Sequence, residues 1–290
     1  MADGSDIFAM MRRRMPELTP NQRQLAGHLL AERQSVAFST VTELAEQTGI
    51  SPATIVRFAK SLGFEGYNGL QREVRRSLRV GLRGPDRFRN ARRPTGSEGG
   101  VLAPAFAQEM ENLAALQEQH DPGALAAAVR AISDASRVLV IGSRSTASLA
   151  NHLWFALGKA GLAAERALTV DTHAFDAVAR LDDSGCAVVI GFPRYLAELG
   201  RIVDFARTEG KRLVVLTDSP FSPFRGDVTL YAPVESSSFV AFHCAPLVLI
   251  ATLLTEIAAD HPERTLAALD RFEALAERQG LFTQAEPTGE

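Results

Sequence analysis

Apolar residues recur every three to four positions through the first 79 residues, and beyond residue 104 they gather into short unbroken runs separated by helical stretches. The first part therefore reads as all-helical. Thr19, Pro20 and Gln22 open a helix with a capping hydroxyl, a proline at the first position and a glutamine able to bond back, and Leu25, Leu29 and Leu30 give it an apolar stripe. Two shorter helices follow within STVTELAEQTGISPATIVRFAKSLGF, from Ser39 to Phe64. Thr40 with Glu43 caps the first, and Ser51 followed by Pro52 caps the second. Gly49 sits where the chain must turn sharply, with Ile50 as an apolar plug behind it. In the second helix Ile55, Ala59 and Leu62 fall at i, i+4 and i+7 and face inward, leaving Ala53, Thr54, Arg57, Lys60 and Ser61 outside. LQREVRRSLRV then makes a basic amphipathic helix with Leu70, Val74 and Leu78 on one side.

From 81 to 100 the chain reads GLRGPDRFRNARRPTGSEGG, rich in Gly, Pro and Arg and without apolar periodicity, which marks an exposed linker. Past Pro104, helices carrying Phe106, Met110 and Leu113 and then spanning 122–131 lead to RVLVIG at 137–142, a run too short and too β-branched for a helix. CAVVIG at 186–191, RLVVLT at 212–217 and DVTLYAP at 227–233 read the same way, with a further run near Ala163 to Leu168. Continuous apolar strands alternating with helices describe a parallel sheet covered on both faces. A last amphipathic helix carries Leu266, Leu269, Phe272 and Leu275. The expected fold class is an all-α helix-turn-helix domain (1–79), a flexible linker (80–104), an α/β three-layer αβα sandwich with a parallel sheet (105–280) and a tail (281–290).

The net charge of −3 hides an asymmetry: residues 1–95 hold 16 Arg and Lys against 9 Asp and Glu, whereas the remainder holds 15 against 25. The basic part is the part carrying the helical hairpin, so a phosphate-seeking field is concentrated there. The small, hydroxylic and basic outer face of its second helix suits a DNA major groove. Cys186 and Cys244 lie in apolar runs and are expected as buried thiols, and the six histidines show no metal-like spacing, so no metal and no cofactor are expected. No apolar run is long enough to span a bilayer, and charges at Asp3, Asp6 and Arg12 to Arg14 interrupt any signal-like stretch, so the expectation is a cytoplasmic protein with no membrane partner.

In open parallel sheets, ligands bind beyond the carboxyl ends of the strands. The first strand is followed by Gly142, Ser143, Arg144, Ser145 and Thr146, a hydroxyl-rich turn opening a helix and suited to an anion. Later strands end in Gly191 to Tyr195, in Thr217 to Ser219 and in Ser236 to Ser238, which brings Arg194, Thr217, Ser219 and Ser236 into the candidate set. An aldose–ketose isomerase would need a base near the sugar C1 and C2. The candidates Glu198, Glu235 and His173 show no pairing that would tune one of them, so no catalytic residue is assigned.

With SPATIVRFAKSLGFEGY in the first half and VLVIGSRST, GFPRY, LTDSPFSPF and SSSF in the second, the chain resembles the RpiR-type bacterial transcriptional regulators from about residue 18 to 260. These join a helix-turn-helix to a sugar isomerase (SIS) domain. The resemblance implies that Ser51, Thr54, Arg57 and Lys60 lie at double-stranded operator DNA. It also implies that the SIS pocket senses a metabolite, commonly a phosphosugar. Where that family carries Ser-x-Ser-Gly-x-Thr, this chain has Gly191, Phe192, Pro193, Arg194 and Tyr195. Pro193 removes an amide donor and Arg194 can neutralise an anion, so a phosphosugar and another anionic or carboxylate metabolite both fit. A sugar-phosphate isomerase or other SIS-domain enzyme is the alternative function. A homodimer or homotetramer is expected, because one helix-turn-helix covers only a half-site, with contacts through Phe239 to Ile257 or Leu266 to Leu275.

Overall fold

The computed structural model describes residues 6–80, 82, 84–91, 102–236, 238, 240 and 243–282. The chain divides into two compact units. One comprises Met1–Met110 with Ser219–Pro223 and Glu235–Phe242, and the other Glu111–Asp218, Phe224–Val234 and His243–Glu290.

The first unit is helical: α1 (Ile7–Arg14), a 3-10 turn (Met15–Glu17), α2 (Pro20–Ala31), α3 (Arg33–Phe38), α4 (Val41–Thr48), α5 (Pro52–Ser61), α6 (Tyr67–Val80) and α7 (Gly84–Ala91). The capping signals act as the sequence says. Thr19 with Gln22 and Thr40 with Glu43 form reciprocal capping boxes, Ser51 accepts from the Thr54 amide, and Gly49 ends α4 at φ 68° in the left-handed region. The Thr40 hydrogen bonds also hold the Glu43 carboxyl below the usual carboxylate range. The core gathers Leu25, Leu29, Leu44, Ile55, Leu70 and Val74. It also contains three large side chains that the periodicity left unassigned, Ile7 and Phe8 of α1 and Phe58 of α5, all essentially inaccessible to solvent. Asp6 caps α1 through its bond to the Ala9 amide. The helix α7 lies inside the stretch expected to be linker; residues 92–101 of that stretch are outside the described residues.

The helix α8 (Leu102–Gln119) leads from one unit into the other. The second unit continues with α9 (Pro122–Ser133), β1 (Val138–Gly142), α10 (Ala147–Lys159), β2 (Ala164–Ala167), α11 (Thr172–Ala179), β3 (Cys186–Ile190), α12 (Ala197–Thr208), β4 (Arg212–Thr217), β5 (Val228–Tyr231), α13 (Cys244–Asp260) and α14 (Pro262–Gln279). All five strands are parallel, in the order β2-β1-β3-β4-β5. Alternate strand residues serve two cores. Val138, Val140, Val188, Ile190, Val214 and Leu216 join α9, α10 and α13, while Leu139, Ile141, Val189 and Val215 join α11 and α12 on the other face. This is the three-layer αβα sandwich expected.

Cys186 is fully buried as expected, and burial pushes its thiol up to about 12. Cys244 departs from expectation: it is exposed, because it stands at the first position of α13, before the buried stripe of Ala245, Leu249 and Leu253 begins. Among the described residues, no single helix is long and apolar enough to cross a membrane, and no group of three or more His, Cys, Asp or Glu could hold a metal ion.

Candidate nucleic-acid interface and sheet-edge site

Helix α5 buries Ile55, Phe58 and Ala59 and presents Ala53, Arg57, Lys60 and Ser61 to solvent, with Thr54 half-buried at the margin. No carboxylate lies on this helix. Its first turn is ordered by hydroxyls. Ser51 Oγ and Thr54 Oγ1 share a hydrogen bond of 3.0 Å, and Arg57 Nη2 donates to Thr54 Oγ1 at 2.8 Å. All four sequence-derived residues, Ser51, Thr54, Arg57 and Lys60, therefore stand on or beside one exposed face.

The basic count of the first 95 residues overstates the charge on offer, because several arginines are used inside the unit. Arg76 is buried and forms an ion pair with buried Glu73 at 2.7 Å. Arg75 Nε donates to the Ala37 carbonyl, Arg14 Nη1 to the Ser61 carbonyl at 2.9 Å, and Arg79 pairs with Glu235 at 2.9 Å. Such long side chains close helix ends and span between helices, which a tally of charges cannot distinguish from a field. Beside them Tyr67 donates to the Ser39 carbonyl at 2.8 Å, and burial pushes its phenol up to about 12.

In the sheet unit the strand order reverses between β1 and β3, since β1 leads outward to β2 and β3 leads to β4 and β5. Ligand crevices form at such reversals. The two loops flanking this one are Ser143–Thr146 after β1 and Gly191–Leu196 after β3, so Ser143, Arg144, Ser145 and Arg194 belong to one edge of the sheet. Ser143 is half-buried, whereas Arg144, Ser145 and Arg194 are exposed. Arg144 adopts φ 56°, a left-handed conformation that costs an L-residue about 1–2 kcal/mol. Part of the expected amide cradle is consumed within the turn. The Ser143 amide donates to Thr146 Oγ1 at 3.1 Å, the Thr146 amide to the Ser143 carbonyl at 3.3 Å, and the Ala147 amide to the Arg144 carbonyl.

The β3 loop is anchored from two sides. Tyr195 Oη donates to Asp218 Oδ1 at 2.6 Å, and the Tyr195 ring meets Phe224 edge-on at 5.4 Å. Phe192 is buried and lies 5.8 Å from the His243 ring, whose pKa burial depresses, so that this imidazole stays neutral at neutral pH. Thr217 is fully buried and donates to Asp218 Oδ1 at 3.2 Å. Asp218 and Phe224, absent from the sequence-derived set, are thus what hold the Arg194 loop; their signal in sequence was only their place beside a strand end. Ser219 and Ser236 fall in segments grouped with the helical unit and are engaged locally. Ser219 Oγ accepts from the Phe221 amide at 3.0 Å, while Ser236 Oγ donates to the Val240 carbonyl at 2.9 Å.

Comparison with known proteins agrees with both units. Residues 6–80 match the helix-turn-helix domain of the rpiR family, and residues 131–256 match the SIS domain. The HTH-type transcriptional regulator YbbH of Bacillus subtilis is 25% identical over 282 residues, covering 93% of this chain and 96% of that protein. HexR, an HTH-type transcriptional regulator of Pseudomonas aeruginosa, is 24% identical over 248 residues, 80% of this chain and 84% of that one. The sugar isomerase domain of an RpiR transcription factor from Sphaerobacter thermophilus superposes with a TM-score of 0.58 at 27% identity, over 60% of this chain and 98% of that one. The NanR protein of Vibrio vulnificus, solved in complex with ManNAc-6P, shares the fold at TM-score 0.58 and 19% identity, over 96% of this chain and all of that one. A capped, cation-bearing helix in an rpiR-type helix-turn-helix, followed by a SIS sandwich, places the chain in the RpiR family of helix-turn-helix transcriptional regulators.

Proposed function

We propose that α5 reads operator DNA, with Ser51, Thr54, Arg57 and Lys60 lying at the DNA, and that a small anionic metabolite bound at the β1/β3 edge changes operator affinity. The observation that carries the first half is the exposed face of α5, with two cations and no carboxylate. The second half is supported by two exposed arginines, Arg144 and Arg194, on the loops flanking the strand-order reversal, with Ser143 and Ser145 beside them. Thr217 backs that edge from inside through Asp218. A phosphosugar or a sugar carboxylate both supply the charge, and NanR, of the same fold, holds ManNAc-6P.

The site acts as a sensor and not as a catalyst. Glu198 pairs with Arg201 at 3.5 Å on α12, His173 is exposed on α11, and Glu235 is paired with Arg79 in the helical unit. No two of these candidate bases share an element. The working form is a homodimer or homotetramer in the cytoplasm, reading a palindrome with two copies of α5.

The test is fluorescence anisotropy at fixed salt with duplexes tiled across the DNA flanking the gene, repeated with phosphosugars and sugar acids. A tenfold change in operator affinity on adding an effector corresponds to about 1.4 kcal/mol of coupling. Ser145→Ala and Arg194→Ala should abolish that response and leave effector-free binding intact. Full response in both variants would move the metabolite site elsewhere, and failure to bind any duplex would remove the DNA-reading half.

A further inference from the structure

Three side chains on the outward side of α5 form one hydrogen-bonded row along the helix. Ser51, Thr54 and Arg57 are spaced three residues apart and so stand one above another. Ser51 Oγ caps the helix by accepting from the Thr54 amide and shares a 3.0 Å hydrogen bond with Thr54 Oγ1, which in turn accepts from Arg57 Nη2 at 2.8 Å. Thr54 is half-buried while Arg57 is exposed. A threonine hydroxyl has one proton and two lone pairs, and here it already serves two partners. The Arg57 guanidinium spends one Nη2 proton on Thr54, which leaves the Nη1 protons and the second Nη2 proton of this exposed side chain for a ligand.

Resting on the operator-reading proposal above, we propose that Arg57 reads a guanine and that Thr54 is a positioning residue that aims it, not a base contact itself. A guanine presents O6 and N7 as paired acceptors in the major groove, and the end-on fork of an arginine matches that pair. An exposed arginine is costly to order on binding, and a hydroxyl that holds the guanidinium beforehand reduces that loss. Thr54 is suited to the task because it lies in the first turn, where Ser51 holds its hydroxyl in turn.

The experiment is selection of binding sites from a random duplex library by the full-length protein, sequenced for wild type, Arg57→Ala, Thr54→Val and Thr54→Ser. Far-UV circular dichroism melts would confirm that all four are folded. The wild type should select a motif with a dominant guanine. Arg57→Ala should lose preference at that position by about 5- to 150-fold and keep the rest of the motif. Thr54→Val, which replaces the hydroxyl with a methyl group of similar size, should weaken the same preference by about 2- to 12-fold, and Thr54→Ser should restore it. An undiminished guanine preference in Thr54→Val, or Thr54→Ser behaving like Thr54→Val, overturns the positioning role. Uniform weakening across all sequences in Arg57→Ala makes Arg57 a phosphate contact and overturns the guanine assignment. A folded wild type that selects no motif overturns the operator-reading proposal, and this one with it.

Discussion

The helical unit and the sheet unit place their functional residues by different physics. In the helical unit the exposed face of α5 is built from neighbours within ten residues: Ser51 caps, Pro52 starts the helix, Gly49 turns the chain before it, and Ile55 and Ala59 decide which side is left outside. In the sheet unit Ser145 and Arg194 are 49 positions apart and share an edge only because β1 and β3 are paired neighbours in a parallel sheet. Local hydrogen bonds and periodicity specify the first kind of site. The second depends on strand order, which no stretch of a few residues encodes.

Several perturbations would break or sharpen this contrast. The largest effect is expected from Phe58→Ala, which empties a fully buried position in the helical core and should cost about 3–5 kcal/mol. Differential scanning calorimetry should show the loss in the transition of the helical unit alone. A single transition moving as a whole would show that the two units do not unfold separately.

Gly142→Ala tests the sheet unit. A Cβ there would lie 2.6 Å from the Thr146 carbonyl oxygen and 2.8 Å from Ala150 Cβ, so strand β1 and helix α10 must separate. The expected cost is about 1–3 kcal/mol, as for other overpacked sites. Urea unfolding followed by the fluorescence of Trp154, the single tryptophan and a residue of this unit, reads it directly. An unchanged midpoint would mean that the approach of α10 to β1 is loose and that the first strand-end turn is not fixed by packing.

Ser51→Ala should cost the helical unit about 1 kcal/mol through loss of the N-cap, measured by far-UV circular dichroism in urea. Because the same hydroxyl bonds Thr54, the variant should also loosen the row leading to Arg57. If stability is unchanged, the local specification of α5 is weaker than its capping geometry suggests.

At neutral pH the smallest effects are those of two buried titrating groups, which act only in alkali. Burial raises the Tyr67 phenol from 10.0 to about 12, so the folded helical unit retains a proton that the unfolded chain releases. Its contribution is complete below pH 10 and is lost as pH rises towards 12. Cys186, raised from 9.0 to about 12, gives the sheet unit the same sign over a window that opens earlier. Native-state alkylation should accordingly modify exposed Cys244 and spare Cys186 until the protein is unfolded. Equal labelling of both at neutral pH would contradict the burial of β3.

Some of the helical unit still escaped the sequence. Ile7, Phe8 and Met11 follow helical spacing behind an Asp6 cap, yet the cluster Arg12 to Arg14 makes that segment read as polar. Phe58 sits one turn after Ile55 on the same face, and the pattern of Ile55, Ala59 and Leu62 was complete without it. Cys244 shows the opposite error: an apolar run predicts burial, but the first residue of a helix can stand proud of the face that packs. The arginines were misread as a group for a similar reason, since Arg75 and Arg79 are engaged by a carbonyl and a carboxylate from distant segments, and Arg76 is paired with Glu73 one turn back on its own helix.

By itself, the sequence determined the elements whose causes are local: the capped helices of the first unit, the outward face of α5, the buried parallel strands and the polar turns that end them. Only the tertiary structure decided which of those turns share an edge. It put β1 beside β3 and made Asp218 and Phe224 the anchors of the Arg194 loop. It also spent the Ser143, Thr146 and Ala147 amides inside their own turn. Caps and periodicity act over one or two helical turns and are written in adjacent residues. Strand order and side-chain anchoring are settled by burying both faces of the sheet at once, which involves residues dozens of positions apart.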